Sequence, residues 1–275
     1  APGGSSSWNN ADPTSSVFSV GYDSTVNANG ATYVAYLFAH NAGGFGAAGT
    51  DNVISCGSFT TDASGATVTL GYEPQYIMMK RTDSTSNWEI VDVMRGWSMA
   101  GNSQLEANLS NAEQTYTANY LNPTATGFKI NAGYWASGSN IIYIAIRRPH
   151  KPPTSGTEVF SPITTSSATG TVMTTGFPVD MQISGYRPGT DTGNWSVNDR
   201  LRGVSTTSTD KQVALITPLT DAETTGSNNQ TRNWSNTGFT RPSWLGGVSS
   251  IYYNFKRAPG FFDEVCYTGD GATQS

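Results

Sequence analysis

Charge is what this 275-residue chain has least of: 15 Lys and Arg and 20 Asp and Glu make up 13% of it, about half the usual share, with a formal net charge of -5. Solubility therefore rests on neutral hydroxyl and amide groups. A surface that tracks phosphates needs clustered Lys and Arg, so nucleic acid is not an expected partner. The basic residues fall instead in pairs, Arg147-Arg148 and Lys256-Arg257. Histidine and cysteine are scarcer still. His40, His150, Cys56 and Cys266 are too few and too scattered for a metal or redox cluster, so no metal and no cofactor is expected. Cys56 and Cys266 stand at matching places about a domain length apart, which predicts free thiols rather than a bridge. No apolar run approaches the roughly 18 residues of a membrane span, and membrane insertion is not expected. No Gly-x-Ser-x-Gly elbow, phosphate-binding glycine loop or zinc pattern occurs.

What the chain does have is a text written twice. Asn87-Trp88-Glu89-Ile90-Val91-Asp92-Val93-Met94-Arg95-Gly96 returns as Asn194-Trp195-Ser196-Val197-Asn198-Asp199-Arg200-Leu201-Arg202-Gly203, displaced by 107 positions. Ala112-Glu113 echoes as Ala222-Glu223, Gly127-Phe128 as Gly238-Phe239, and Tyr143 to Arg148 as Tyr252 to Arg257. A period of 105 to 111 residues exceeds that of a solenoid or propeller blade, so the repeating object is a small domain. The phase predicts four parts: residues 1–40 close a preceding unit, 41–150 and 151–258 are complete units, and 259–275 open another. The chain reads as an excised piece of a longer polypeptide. On this reading residues 16–38 supply strands to a sheet whose remaining strands lie elsewhere, since half a unit cannot cover both faces of its sheet.

The local signal is β. Tyr33 to Phe38, Ala66 to Leu70, Gln75 to Lys80, Trp88 to Val93, Ile141 to Arg147 and Ile251 to Phe255 are short runs rich in Val, Ile, Thr and aromatics, separated by Gly, Ser, Asp and Asn turns. The expected fold is all-β, a tandem of antiparallel sandwiches of jelly-roll or lectin-like type. Ser103 to Thr115 and its counterpart Lys211 to Thr224 have some helical character, but Pro218 interrupts the second, and both read as extended segments with turns. Prolines at 149, 152 and 153 predict a stiff connection between units.

Asp92 and Arg95, with Asp199 and Arg202, are the most prominent polar positions. Residues three apart on a strand face opposite sides, so a pair needs a bend after the Asp. Such a pair either grips a sugar or cation or, the reading preferred here, stabilises the same corner in both units. Glu89 to Asp92 resembles the Glu-x-Asp-x-x-Glu strand of laminarinase-type glycosidases, but no second Glu follows and Glu89 becomes Ser196 in the sister copy, so catalytic residues are not expected. Trp88 and Trp195 share a repeat position, which favours core packing. Trp97, Trp135, Trp234 and Trp244 lie in Gly- and Ser-rich loops, where rings either stack on sugars or cover a core or subunit interface. The acidic loops at Asp51-Asn52 and at Tyr267 to Gly271 lack the alternating spacing of a calcium loop.

Ala31 to Phe38, Gly71 to Arg81 and Lys256 to Gly269 resemble an uncharacterised repeat domain of phage virion proteins, found in tail-associated and structural proteins of cyanophages and other marine phages. The resemblance covers most of residues 16–275. It implies a virion or extracellular location and a non-enzymatic structural role in a tail fibre or appendage, with host-surface glycan adhesion as an added role. The implied partners are copies of the same chain, as a homotrimer or other homo-oligomer, other virion proteins and host polysaccharide. Two alternatives stay open: a carbohydrate-binding module or capsid decoration, and a bacterial surface adhesin.

Overall fold

The computed structural model describes residues 5–14, 16–99, 101–116, 120–187, 193–203, 213–217, 219–225, 233–242 and 247–266. It divides into two compact units, Ala1–Phe38 and Ala39–Ser275. The small unit is built on α1 (Ser5–Trp8) and α2 (Ser24–Asn27). Asp23 caps α2 by accepting from the Thr25 amide at 2.8 Å, satisfying a donor that a helix start leaves free. The Tyr33 hydroxyl reaches back to the Ser24 carbonyl and the Ala28 amide, each at 2.8 Å.

Tyr33 to Phe38, expected as a strand, is a correction: among the described residues of 16–38 there is no ladder at all. Val34, Tyr36 and Leu37 are exposed. A strand is defined by its neighbours, and a strand-like composition without a paired edge does not make one.

The large unit is antiparallel β almost throughout. In its first half β1 (Ile54–Thr60), β2 (Gly65–Thr69), β3 (Pro74–Arg81), β4 (Glu89–Asp92), β5 (Asn102–Glu106), β6 (Gln114–Tyr116), β7 (Leu121–Thr124), β8 (Gly127–Asn131) and β9 (Asn140–Arg147) form a six-stranded sheet in the order β1-β9-β3-β4-β5-β6 and a three-stranded sheet β2-β8-β7. In the second half β10 (Phe160–Thr165), β11 (Val172–Thr174), β12 (Met181–Tyr186), β13 (Ser196–Asp199), β14 (Val213–Ile216), β15 (Thr224–Thr225), β16 (Gly238–Thr240) and β17 (Ser250–Phe255) form β10-β17-β12-β13-β14-β15 and β11-β16. In each half the larger sheet runs first, last, third, fourth, fifth, sixth strand, and the registers agree: Tyr76 faces Asp92 as Met181 faces Asp199.

Ile77, Met79, Val91, Ile141 and Ala145 point inward from the first sheet against Val68, Leu121, Phe128 and Ile130 of the opposing layer, with Trp97 among them. The second core is smaller and gathers Met173, Phe177, Val179, Trp234, Phe239 and Tyr252. One aromatic contact recurs: Phe128 meets Tyr143 at 5.4 Å and Phe239 meets Tyr252 at 5.0 Å. The rest of the second inner face is polar, with Gln182, Ser184, Ser196, Asn198 and Asn254 all buried. They bond among themselves and to backbone, for instance Gln182 Nε2 to Asn254 Oδ1 at 2.6 Å and Asn198 Nδ2 to the Val213 carbonyl at 2.8 Å.

The opposite, outward faces of the two large sheets are apolar. Alternation along β9 sends Ile142, Ile144 and Ile146 outward, beside Tyr76 and Met78 of β3, Ile90 of β4 and Leu105 of β5. The same positions of the second half hold Ile251, Tyr253 and Phe255, Met181 and Ile183, Val197 and Leu215.

Candidate functional site

Three polar constellations stand out. The first is the Asp–Arg corner, present twice. The chain bends after Asp92 into a single 3-10 turn, Val93–Arg95, closed by Gly96 in the left-handed region at φ 97°. Asp92 caps the turn, accepting from the Arg95 amide at 3.0 Å and from Arg95 Nε at 2.6 Å, while Arg95 Nη1 reaches Glu113 at 3.1 Å. Asp199 and Arg202 do the same, and Arg202 Nη1 meets Glu223 at 3.2 Å. The recurrent Ala-Glu pair of the sequence thus supplies the acid that closes each corner. Its distance along the chain from the Arg hid the connection. Each carboxylate oxygen of Asp92 and of Asp199 accepts a hydrogen bond from its own turn, an arrangement suited to holding the corner.

The second is an acidic pair in the first half alone. Glu89 of β4 stands directly across from Glu106 of β5; the corresponding pair in the second half is Ser196 and Ile216. Burial lifts the Glu89 carboxyl to about 7, against the hydrogen bond it accepts from the Tyr134 hydroxyl at 2.6 Å, and the neighbouring Glu106 charge adds to the rise. Glu106 instead accepts from the side-chain amides of Asn87 at 2.7 Å and of Asn111 and Gln114 at 3.2 Å. Two facing carboxyls held in unlike environments are an arrangement from which acid–base pairs are built. Both are engaged by protein donors, which makes this a hydrogen-bonded network. Sequence reasoning singled out Glu89 and missed Glu106, because only the β4–β5 register brings them face to face.

The third ties the two halves of the large unit together through arginine. Arg257 forms a two-pronged pair with Glu73 at 2.7 and 2.8 Å, both side chains buried. Arg148 joins Glu73 at 3.4 Å and Asp263 at 2.8 Å. Arg200, 1% exposed, donates to the Val179 carbonyl at 2.8 and 3.1 Å and across the junction to the Val93 carbonyl at 3.2 Å. The Met99 amide adds a backbone bond to the Leu201 carbonyl at 2.7 Å. A cavity of about 540 Å³ opens beside this network, lined in part by Tyr72, Glu73, Arg147, Arg148, His150 and Phe262. Glu264 is pushed up to about 8 by burial, with the Arg257 Nε 3.9 Å away.

The tryptophans divide. Trp97 is fully buried and donates its Nε1 hydrogen to the Leu121 carbonyl at 2.9 Å, so it has no face to offer a sugar. Trp234 is 3% exposed under the Arg200 guanidinium, 5.5 Å from its ring centre. Trp135 is half-buried against Tyr134 at 4.5 Å. Trp244 lies outside the described residues. Trp88 and Trp195, expected in a core, are half-buried and belong to neither core cluster. Trp195 stacks on the outward Tyr253 at 6.1 Å, over Gly185, where any Cβ would collide with the indole. A shared sequence position predicts shared packing but not the face on which it occurs.

Cys56 and Cys266 are both free, and among the described residues no group of three or more His, Cys, Asp or Glu could hold a metal. Asp51 pairs with Arg147 at 3.5 Å and His150 at 3.3 Å; the Tyr267 to Gly271 loop lies outside the described residues. Among the described residues no helix is long and apolar enough to cross a membrane.

These features define a class, an all-β protein of antiparallel sandwich type. Its conspicuous polar side chains fasten one stretch of chain to another. The chain belongs to the family described as a domain of unknown function, DUF7483, whose model matches residues 2–149. No curated protein and no solved structure matches it.

Proposed function

We propose that this chain is a non-enzymatic structural segment of a phage virion, part of a tail fibre or appendage, made of tandem β-sandwich repeats that assemble with copies of themselves. The observation that carries the reading is the buried arginine junction. Arg257–Glu73 and Arg200–Val93 lock successive halves into one body, as a stiff structural segment requires and a pair of independently hinged binding modules does not. The matched strand order of the two sheets and the 107-residue echo support the tandem organisation. The phage location rests on the sequence resemblance alone.

The non-enzyme reading is supported by the engagement of Glu89 and Glu106 in protein hydrogen bonds and by the absence of their counterparts from the second half. The location is tested by mass spectrometry and immunogold labelling of purified particles of the encoding phage. Labelled fibres are expected; a particle without the chain rejects the proposal. Release of reducing sugars from host polysaccharide, lost in Glu89→Gln, rejects the non-enzyme reading.

A second reading, host-glycan adhesion, is favoured by Trp135, whose ring keeps an exposed part beside Tyr134. Titration calorimetry with host polysaccharide checks it: binding lost in Trp135→Ala supports adhesion, and no binding by the wild type rejects it.

A further inference from the structure

The outward faces of the two large sheets are on the wrong side to be apolar. An antiparallel sheet with one face on a core ordinarily turns polar residues to water. Here the second sheet is inverted, with Gln182, Ser196, Asn198 and Asn254 buried on its inner face and Ile183, Tyr253 and Phe255 on its outer one. Phe160 and Trp195 extend the outer face into an aromatic row, each within 6.4 Å of Tyr253. The first sheet, whose inner face is apolar, carries a second apolar face of mostly aliphatic residues on its outside; Leu105 and Ile142 of that face and Leu215 of the second sheet are 36%, 39% and 42% exposed. Contiguous apolar surface of this kind marks an interface.

We propose that these two faces are the surface through which one copy of the chain packs on a second copy. The inference rests on the self-assembling role proposed above and names the surface that performs it. The occupant follows from the repetition. Outward Ile144, Met78, Ile90 and Leu105 recur as Tyr253, Ile183, Val197 and Leu215 at the same register. A partner that covers both faces must offer matching apolar surface twice at the same spacing, and another copy of this chain has that by construction. Charge agrees. Lys80 is the cation on the first outward face and its Nζ is bound to the Arg81 carbonyl at 2.8 Å, while Asp92 and Asp199 at the strand ends are closed by Arg95 and Arg202. A strongly charged partner finds little to pair with. Standard strand spacing and rise give each face a footprint of about 250 Å², so both together bury about 1,000 Å² over two partners, the size at which specific association begins.

The test is sedimentation velocity on the 275-residue chain over a concentration series, for the wild type, Ile144→Lys, Tyr253→Lys and the double variant. Ile144→Thr and Tyr253→Thr, which keep strand propensity, accompany them, and circular dichroism and Tm verify folding. Self-association of the wild type is expected, weakened about tenfold or more by either lysine and abolished by both, with the threonine variants intermediate. Cys56, opposite Ile144 in the ladder, supplies an independent reading. Its alkylation should slow about tenfold as the wild type associates, while that of Cys266 does not change. Association that survives the double variant overturns this surface and leaves self-assembly standing. A wild type that is monomeric at about 100 µM overturns both. A monomer that binds polysaccharide through Tyr253 overturns the inference in favour of a glycan-stacking face.

Discussion

Glu89 is the residue whose chemistry departs furthest from its type. Its carboxyl sits under Tyr134 on the inner side of β4, and burial holds the proton on to about pH 7. In the unfolded chain that proton leaves near 4.5. The folded state binds it more tightly, so the contribution is fully present below pH 4.5 and is lost as pH rises towards 7. A shift of this size corresponds to on the order of 3 kcal/mol across that window. Glu89→Gln keeps a group able to bond Tyr134 and cannot ionise. Urea unfolding at pH 4 and pH 8 should show the variant more stable than wild type at the higher pH and equal to it at the lower. Equal slopes with pH in both proteins would reject the assignment. Glu264, raised to about 8, adds a term of the same sign, so the variant flattens the pH dependence without removing it. The sequence pointed at Glu89 for a catalytic reason and dismissed it. Its actual environment depends on Tyr134 and Glu106, 45 and 17 residues away, and no local pattern could have supplied it.

At the scale of the element, the recurrent Gly-Phe pair has a steric cause. Gly127 opens β8 and Gly238 opens β16, each passing so close to a neighbouring strand that a Cβ would lie about 2 Å from a backbone oxygen, that of Val68 or of Met173. The Phe that follows is fully buried in either half. Glycine is needed so that the small sheet can close down and seat that ring. Gly127→Ala and Gly238→Ala should each cost about 2–4 kcal/mol, because the obstacle is backbone and cannot swing aside. Thermal unfolding with retained far-ultraviolet circular dichroism checks this, and a loss under about 0.5 kcal/mol in both would reject it. Most strands were legible in the sequence, since β-branched and aromatic runs between turns leave few alternatives. Tyr33 to Phe38 is as rich in aromatic and aliphatic residues as β9 and β17, yet those two are paired on both edges and it is paired on neither.

At the scale of the whole molecule, the arginines decide how the halves of the large unit behave. Arg257→Met strands Glu73 beside Arg148 without its two-pronged partner and should destabilise by about 3–5 kcal/mol, since a buried charge is left short of compensation. Glu73→Met combined with Arg257→Met should recover more than half of that loss, because the pair's own net worth is small once both ions are gone. A double-mutant cycle in urea measures both, and additive losses would show that the two residues do not act as a pair. In the sequence Arg257 is one member of a basic pair at the end of a unit, and Glu73 lies 184 positions away with nothing local to link them. The sequence by itself determined the β class, the doubled text and the scarcity of charge, because these are properties of composition and spacing along one chain. Only the tertiary structure decided which Trp is buried, which Glu faces Glu89, which Arg spans the halves and which side of each sheet is apolar outward. Those depend on strand register and on contacts between distant residues, and a one-residue change of register would turn every side chain of a strand to its other face.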